Sequence, residues 1–390
     1  MYVTRPLSLY NNNPNFLSAP PPEGPGSGIL VIQDEAAEAE AVCCLGLCED
    51  SRIYKLPFPQ NRKTVISYTH TTGAGAHQGT SHSHHQTSHD EVYFIPVTGQ
   101  PLSSNVYYAI MADGRHKGKT ATSSREEDMG TCLCFNFVND TKPLSFDPTN
   151  TYQQVEIIPR GRRFTAKAVA QDGFPPHFLR RKGWRANTSI PRSFVLEGEA
   201  NGVDMALRRR LPDFGSHVVV GKWYTPFIFI KEGDRLKDQM KKSMYYEVTL
   251  EQFWEEIYGC NFHGENKVQV SVSVRREMAL LNGNEVVEDE VNMVDNFIWF
   301  KGVNSRESGL GLSMVVWERM RWEENRLGWV MSGRENKVKK VDRVEEFEGD
   351  VWRRFSCYVL VERFVFKRMG GSLAFTYDFK HVDKIRVTWE

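Results

Sequence analysis

The chain has 390 residues, with 49 Lys and Arg against 49 Asp and Glu, 40% hydrophobic and 25% charged. These values exclude collagen-like, mucin-like and wholly disordered chains, and a net charge of zero removes the electrostatic case for a dedicated nucleic-acid binder. At about 100 to 200 residues per domain, the length corresponds to two or three packed units.

Residues 1–28 read as an extended arm, because the Asn-Pro, Pro-Pro and Gly-Pro steps of NNNPNFLSAPPPEGPGSG offer no apolar face. The opening MYVTRPLSLYNNNPNF has no apolar stretch of signal-peptide length, and Tyr2 stands where myristoylation requires Gly. The expected compartment is therefore reducing, cytoplasmic and also nuclear. Seven cysteines, an odd number, suit free thiols. The longest apolar stretch, Val218 to Ile230, is interrupted by Gly221, Lys222 and Pro226 and reads as a buried strand, with no membrane span.

Residues 29–248 read as a mixed α+β domain. DEAAEAEAVCCLGLC predicts a helix over 34–47, with carboxylates at its positive end. TVISY, VYFIPV and VYYAIM, at 64–68, 92–97 and 106–111, are β-branched or aromatic runs and predict strands. Between the first two, the polar stretch at 70–90 reads as a His-rich loop. The stretch 152–242 alternates short strand candidates with Pro/Gly turns.

Residues 249–390 read as a capping helix followed by an antiparallel β domain. TLEQFWEEIYGC predicts the helix, with Thr249 as cap, Gln252 reaching back, and Leu250, Phe253, Trp254 and Ile257 on one face. Val268, Val270, Val272 and Val274 alternate with polar residues, and Asn282-Gly283 and Gly370-Gly371 sit at hairpin positions. NFIWF, LSMVVWERMRW, RFSCYVLVERFVFK, SLAFTYDF and KIRVTW supply further strands, though WERMRWEENRLGW also suits a helix. The expected fold is α+β and β-rich, a mixed N-terminal region followed by an antiparallel β-sandwich or barrel-like C-terminal half. Val270, Val272, Val359, Val361, Phe375 and Tyr377 are the expected inward positions.

The chemistry-bearing motifs are weak. Gly114, Gly118, Lys119 and Thr120 imitate a phosphate loop, but three residues separate the glycines where four are needed for the backbone N–H groups to curl around phosphate. His70, His77, His82, His84, His85 and His89 share one polar stretch, where flexible imidazoles without fixed partners bind metal only loosely. Cys43, Cys44, Cys48, Cys132 and Cys134 lack the paired spacing of zinc knuckles and suit core positions. Residues 159–242 carry 18 Lys/Arg against 8 acids, including Arg160, Arg162, Arg163, Arg180, Arg181, Lys182 and Arg185 around Trp184, then Arg208, Arg209 and Arg210. An anionic ligand or nucleic acid at this basic middle is the weaker reading; solvated loops are the stronger. No G-x-S-x-G elbow or H-E-x-x-H helix occurs. The sequence thus assigns no catalytic residue, cofactor or metal ligand, and it does not set the oligomeric state.

MYVTRPLS, APPPEGP, VIQDE, LPFPQN, DEVYFIPV, REEDM, DGFPPHFLRRKGW, LKDQMKKSMYYEVTLEQ and FSCYVLVERFVFKRM resemble the plant family known as domain of unknown function twelve sixty-two, from Met1 nearly to Glu390. That family sometimes carries the label of an insecticidal crystal toxin domain. The resemblance implies a plant intracellular protein, with a role in stress or defence, and carries no catalytic residue across. The expected function is a non-catalytic binding or interaction protein with a protein partner. The alternatives are an enzyme with a site between the halves and a membrane-active toxin-like β protein, the latter disfavoured by the charges in VSVSVRREMALLNGNEVVEDEV.

Overall fold

TVISY becomes part of a ten-residue strand, Lys63–Thr72, and VYFIPV, all but its last residue, part of His84–Pro96, as β-branched and aromatic runs should. The computed structural model describes all residues except 39–41, 44–47, 50, 73–83, 133–134, 190–195, 197, 263, 303–308, 330–337 and 350. Among the described residues strands far outnumber helices, lie mostly in antiparallel sheets and form no closed barrel. The β-rich α+β class is as expected.

The chain divides into two compact units, Met1–Glu199 with Pro226–Tyr245, and Ala200–Thr225 with Tyr246–Glu390. In the first, strands run in the order Arg163–Ala168, Gln154–Arg160, Val106–Met111, His84–Pro96, Lys63–Thr72, Arg185–Ser189 and Arg52–Ile53. Phe58, Phe94, Tyr107, Phe164 and Trp184 fill the core beneath them, with Phe58 stacked on Phe94 at 4.5 Å.

Three local expectations fail in this unit. The supposed arm starts with a strand, Tyr2–Pro6, paired parallel to Gly28–Ile32. Tyr2 is the reason: its ring occupies the space over Gly28, where a Cβ would meet it at 2.3 Å, and its hydroxyl donates to the Pro96 carbonyl at 2.8 Å. The helix at 34–47 shrinks to one turn, Glu35–Glu38, followed by paired strands Val42–Cys43 and Cys48–Glu49, because the apolar residues bunch at one end and give no helical stripe. The His-rich stretch is an extension of the 63–96 hairpin in its outer parts, with His84 opposite Thr72 and His89 opposite Ser67. The β-branched cross-strand pair Thr69 and Thr87, hydroxyls 3.3 Å apart, helps the ladder propagate beyond the core.

In the second unit the strand order is Leu310–Ser313, Phe297–Gly302, Asn284–Val294, Glu277–Leu281, Leu373–Trp389, Arg354–Arg368, Tyr245–Asn261 and Val218–Pro226. The Asn282-Gly283 turn forms as expected, both residues at positive φ (49° and 85°), and closes Glu277–Leu281 onto its neighbour. WERMRWEENR is helical, Met314–Arg326.

The capping helix expected at TLEQFWEEIYGC is instead a 17-residue strand, paired with Arg354–Arg368 from Tyr246 to Asn261. Val248, Leu250, Gln252 and Trp254 alternate inward, and the Gln252 amide, assigned by the sequence to a cap, reaches Glu362 instead. A partner strand more than 90 residues away outweighs the local cap.

Arg354–Arg368 lies between two layers. One face packs Phe355, Cys357, Val359 and Val361 against a two-stranded ribbon of Lys267–Arg275 and Val338–Glu346 through Val268, Val270, Val274 and Val341. Val270, Val359, Val361, Phe375 and Tyr377 are buried as expected, and Val272 is half-buried. The opposite face is also closed: Leu360 and Glu362 are both 0% exposed. That sealed face holds the candidate site.

Candidate functional site

Asp204 caps the short helix Met205–Arg210 by accepting the Leu207 N–H at 2.9 Å. This turns Arg208 inward, while Arg209 and Arg210 stay exposed. The basic triplet is therefore not one solvated face. Arg208 meets carboxylates from two elements: Glu323 and Glu324, in the last turns of Met314–Arg326, and Glu362. Carboxylates near a helix C-terminus are opposed by the helix dipole, so a cation beside them is required for burial.

Arg208 grips both Glu362 oxygens, through Nε at 2.8 Å and through Nη2, and lies 3.4 Å from Glu323 and 3.5 Å from Glu324. Gln252 Nε2 donates to Glu362 at 2.7 Å and to the Arg208 carbonyl at 3.1 Å. His381 Nε2 stands 2.9 Å from Glu324 and 3.7 Å from Glu362, with the Trp329 ring edge-on at 5.4 Å. Arg319 donates to Glu323 at 2.8 Å. The side chains of Arg208, Glu323, Glu324, Glu362 and His381 are 0% exposed.

Burial, and then repulsion from Glu362, push the Glu324 carboxyl up to about 8. Burial acts the same way on Glu362, but the Arg208 hydrogen bonds win and hold it well below the usual carboxylate range. Burial disfavours the His381 cation, yet its bonds to Glu324 and Glu362 raise it to about 9. Both Glu324 and His381 thus keep their protons to higher pH than the same groups do in water, Glu324 through burial and His381 through its carboxylate partners.

Glu324, Glu362 and His381 also place one donor atom each within 4.8 Å of one another, a carboxylate and imidazole set suited to zinc or another divalent ion. Here Arg208 already neutralises Glu362 through both oxygens, and His381 is bonded to Glu324. A divalent cation would displace protons and add its charge beside a guanidinium.

A separate cleft of about 440 Å³ opens on the sheet of this unit, between Glu277, Glu285, Glu288, Phe300, Tyr377 and their neighbours. Its Glu277 is taken by Arg321 at 2.6 Å and by the Tyr377 hydroxyl at 2.9 Å, and Glu285 by Arg275.

Residues 23–135 match the family model described as Protein of unknown function (DUF1262). The resemblance drawn from the sequence is borne out over that span. No curated protein matches the chain. The solved structure of Cry35Ab1 is similar at 12% identity, covering 85% of this chain and 90% of that one with a TM-score of 0.44, a level from which neither fold nor function transfers.

The matched DUF1262 span contains the His-rich stretch and five of the cysteines. His89 is an exposed strand residue; His77 and His82 lie outside the described residues. Cys43 and Cys48 are cross-strand partners, and Cys44 and Cys134 lie outside the described residues. Thr120 of the phosphate-loop imitation is fully buried, and Gly118 packs on Leu236, leaving no open cradle. The buried cluster was missed by sequence reasoning. Its members stand up to 154 residues apart in pairs such as Arg208 and Glu362, and the one available signal was the polar Glu362 inside the apolar run SCYVLVERFVF.

Proposed function

We propose that the protein is a non-catalytic binding or interaction protein, and that its buried ionic cluster holds architecture and performs no chemistry. One observation carries this: the groups with catalytic character, Glu324, Glu362 and His381, have fully inaccessible side chains, with Glu324 bonded to His381 and Glu362 held by Arg208 and Gln252. A general acid or base must reach a substrate proton. The carboxylates Glu277 and Glu285 of the open cleft are likewise committed to Arg321 and Arg275. Among the described residues no helix is long and apolar enough to cross a membrane. A cytoplasmic or nuclear location, supported by the odd cysteine count and the resemblance, and a role in plant stress or defence, supported by the resemblance alone, belong to the same proposal.

The test is chemical. Diethyl pyrocarbonate labelling of the folded protein, mapped by mass spectrometry, should modify exposed His89 and His177 and spare His381. Labelling of His381 as fast as of those two, with the fold intact, would return it to the list of catalytic candidates.

A further inference from the structure

In the first unit, strands Gln154–Arg160 and Arg163–Ala168 are joined by the two-residue turn Gly161-Arg162, with Gly161 at φ 62°. The turn sets Arg160 directly opposite Arg163. Like charges in that relation repel and weaken a ladder. A bridge from Phe164 to Trp184 then brings the Lys182–Arg185 segment alongside, and the Arg163 stem passes over Gly183, where a Cβ would lie 3.5 Å from its Cδ. Arg160, Arg162, Arg163, Lys182 and Arg185 are all exposed. Among the described residues none of the five is ion-paired, whereas neighbouring Arg180 is held by Asp140 at 3.1 Å. With strands about 4.8 Å apart, the five charges share a patch about 15 Å across that no acid among the described residues neutralises.

We propose that this hairpin tip, with Lys182 and Arg185, is a docking surface for an anionic phospholipid membrane. Phosphate is the chemistry that clustered guanidinium groups favour, and three observations favour lipid over nucleic acid. Trp184 is 0% exposed and Arg162 covers the Tyr54 ring at 5.5 Å, so neither ring is offered for stacking on a base. The neighbouring helix, His177–Arg180, is a single turn and cannot enter a groove. Finally, the chain as a whole carries no net charge. A stiff polyanion longer than the patch would run onto carboxylates elsewhere, while mobile anionic lipids gather beneath the patch. This proposal goes beyond the non-catalytic reading and stands or falls independently of His381 labelling.

Sedimentation with phosphatidylcholine vesicles containing phosphatidylserine tests it. The full chain should bind these vesicles, release in high salt, and ignore pure phosphatidylcholine. Each cation near an anionic surface contributes about a five-fold gain in partition, so the triple variant Arg162→Ser, Lys182→Ser, Arg185→Ser should bind about 100-fold more weakly. These side chains are exposed, so its melting temperature should match the parent. The control Arg209→Ser, Arg210→Ser removes two exposed cations from the other unit and should bind as the parent does. Absence of parent binding, unchanged binding by the triple variant, or equal loss in the control would overturn the proposal. So would displacement by millimolar inorganic phosphate, which would mark a single-anion site, or a preference for duplex RNA over vesicles.

Discussion

Arg208 and Glu362 show how much one buried pair decides. Removing one partner of such a pair leaves a charge without compensation, at a cost of about 3 to 5 kcal/mol. Glu362→Gln should therefore lower the urea unfolding free energy by that amount, while Arg209→Ser, at the residue next to Arg208 but exposed, should change it by less than about 0.5 kcal/mol. Comparable small losses for both would mean that water reaches the cluster. The titration of the same cluster has a definite sign. His381 is raised from 6.5 to about 9, so the stability it contributes is complete below pH 6.5 and lost as pH rises through 9. Glu324, raised from 4.5 to about 8, acts in the same direction, since the folded state holds a proton that the unfolded state releases between those values. Glu362, held low, loses its contribution only in strong acid. Unfolding free energy should accordingly fall from mildly acidic pH toward pH 9, and His381→Gln should flatten the part of that curve between pH 6.5 and 9. A parent curve that rises over this interval would contradict the assignment.

At the scale of elements, the Arg354–Arg368 strand is the one on which both layers of the second unit depend. Its Val359 faces the ribbon, fully buried, so Val359→Asp places an unpaired charge in the core and should cost about 3 to 5 kcal/mol. Gln269 lies on the outer face of the same ribbon and is exposed, and Gln269→Ser should cost less than about 0.5 kcal/mol. Paired urea titrations check the contrast, and equal effects would remove the ribbon from that face. The strand Tyr245–Asn261 teaches a related point. Thr249 and Gln252 have helix-capping spacing, and Leu250, Phe253, Trp254 and Ile257 have helical periodicity, yet the segment also contains the β-branched and aromatic residues that strands favour. Short amphipathic runs satisfy both periods, and the long partner strand broke the tie.

For the whole molecule, the important fact is that each compact unit is assembled from separated stretches of chain. Residues 200–225 bring Arg208 and the fully buried Trp223 to the unit otherwise built from 246–390. A fragment of residues 246–390 alone would keep Glu362 and lose Arg208, the cation that grips both its oxygens. We expect such a fragment to lack the cooperative urea transition of the full chain, followed by circular dichroism. A steep transition at the parental midpoint would show that Arg208 is dispensable.

What the sequence determined by itself was local. Val268 to Val274 announced their buried face, Asn282-Gly283 and Gly370-Gly371 their turns, and the β-branched and aromatic runs their strands, because these choices depend on neighbours within a few residues. The resemblance to DUF1262 was legible for the same reason, as contiguous words. Tertiary structure alone decided that Tyr2 belongs to a strand and that Thr249 does not cap a helix. It also split the basic middle, sending Arg208 to an ionic core and leaving Arg160 through Arg163 at an unpaired hairpin tip. Those outcomes follow from contacts such as Arg208 with Glu362, 154 residues apart, and His381 with Glu324, 57 apart. Burial of a charge depends on whether a partner arrives, and no pattern confined to one segment carries that information.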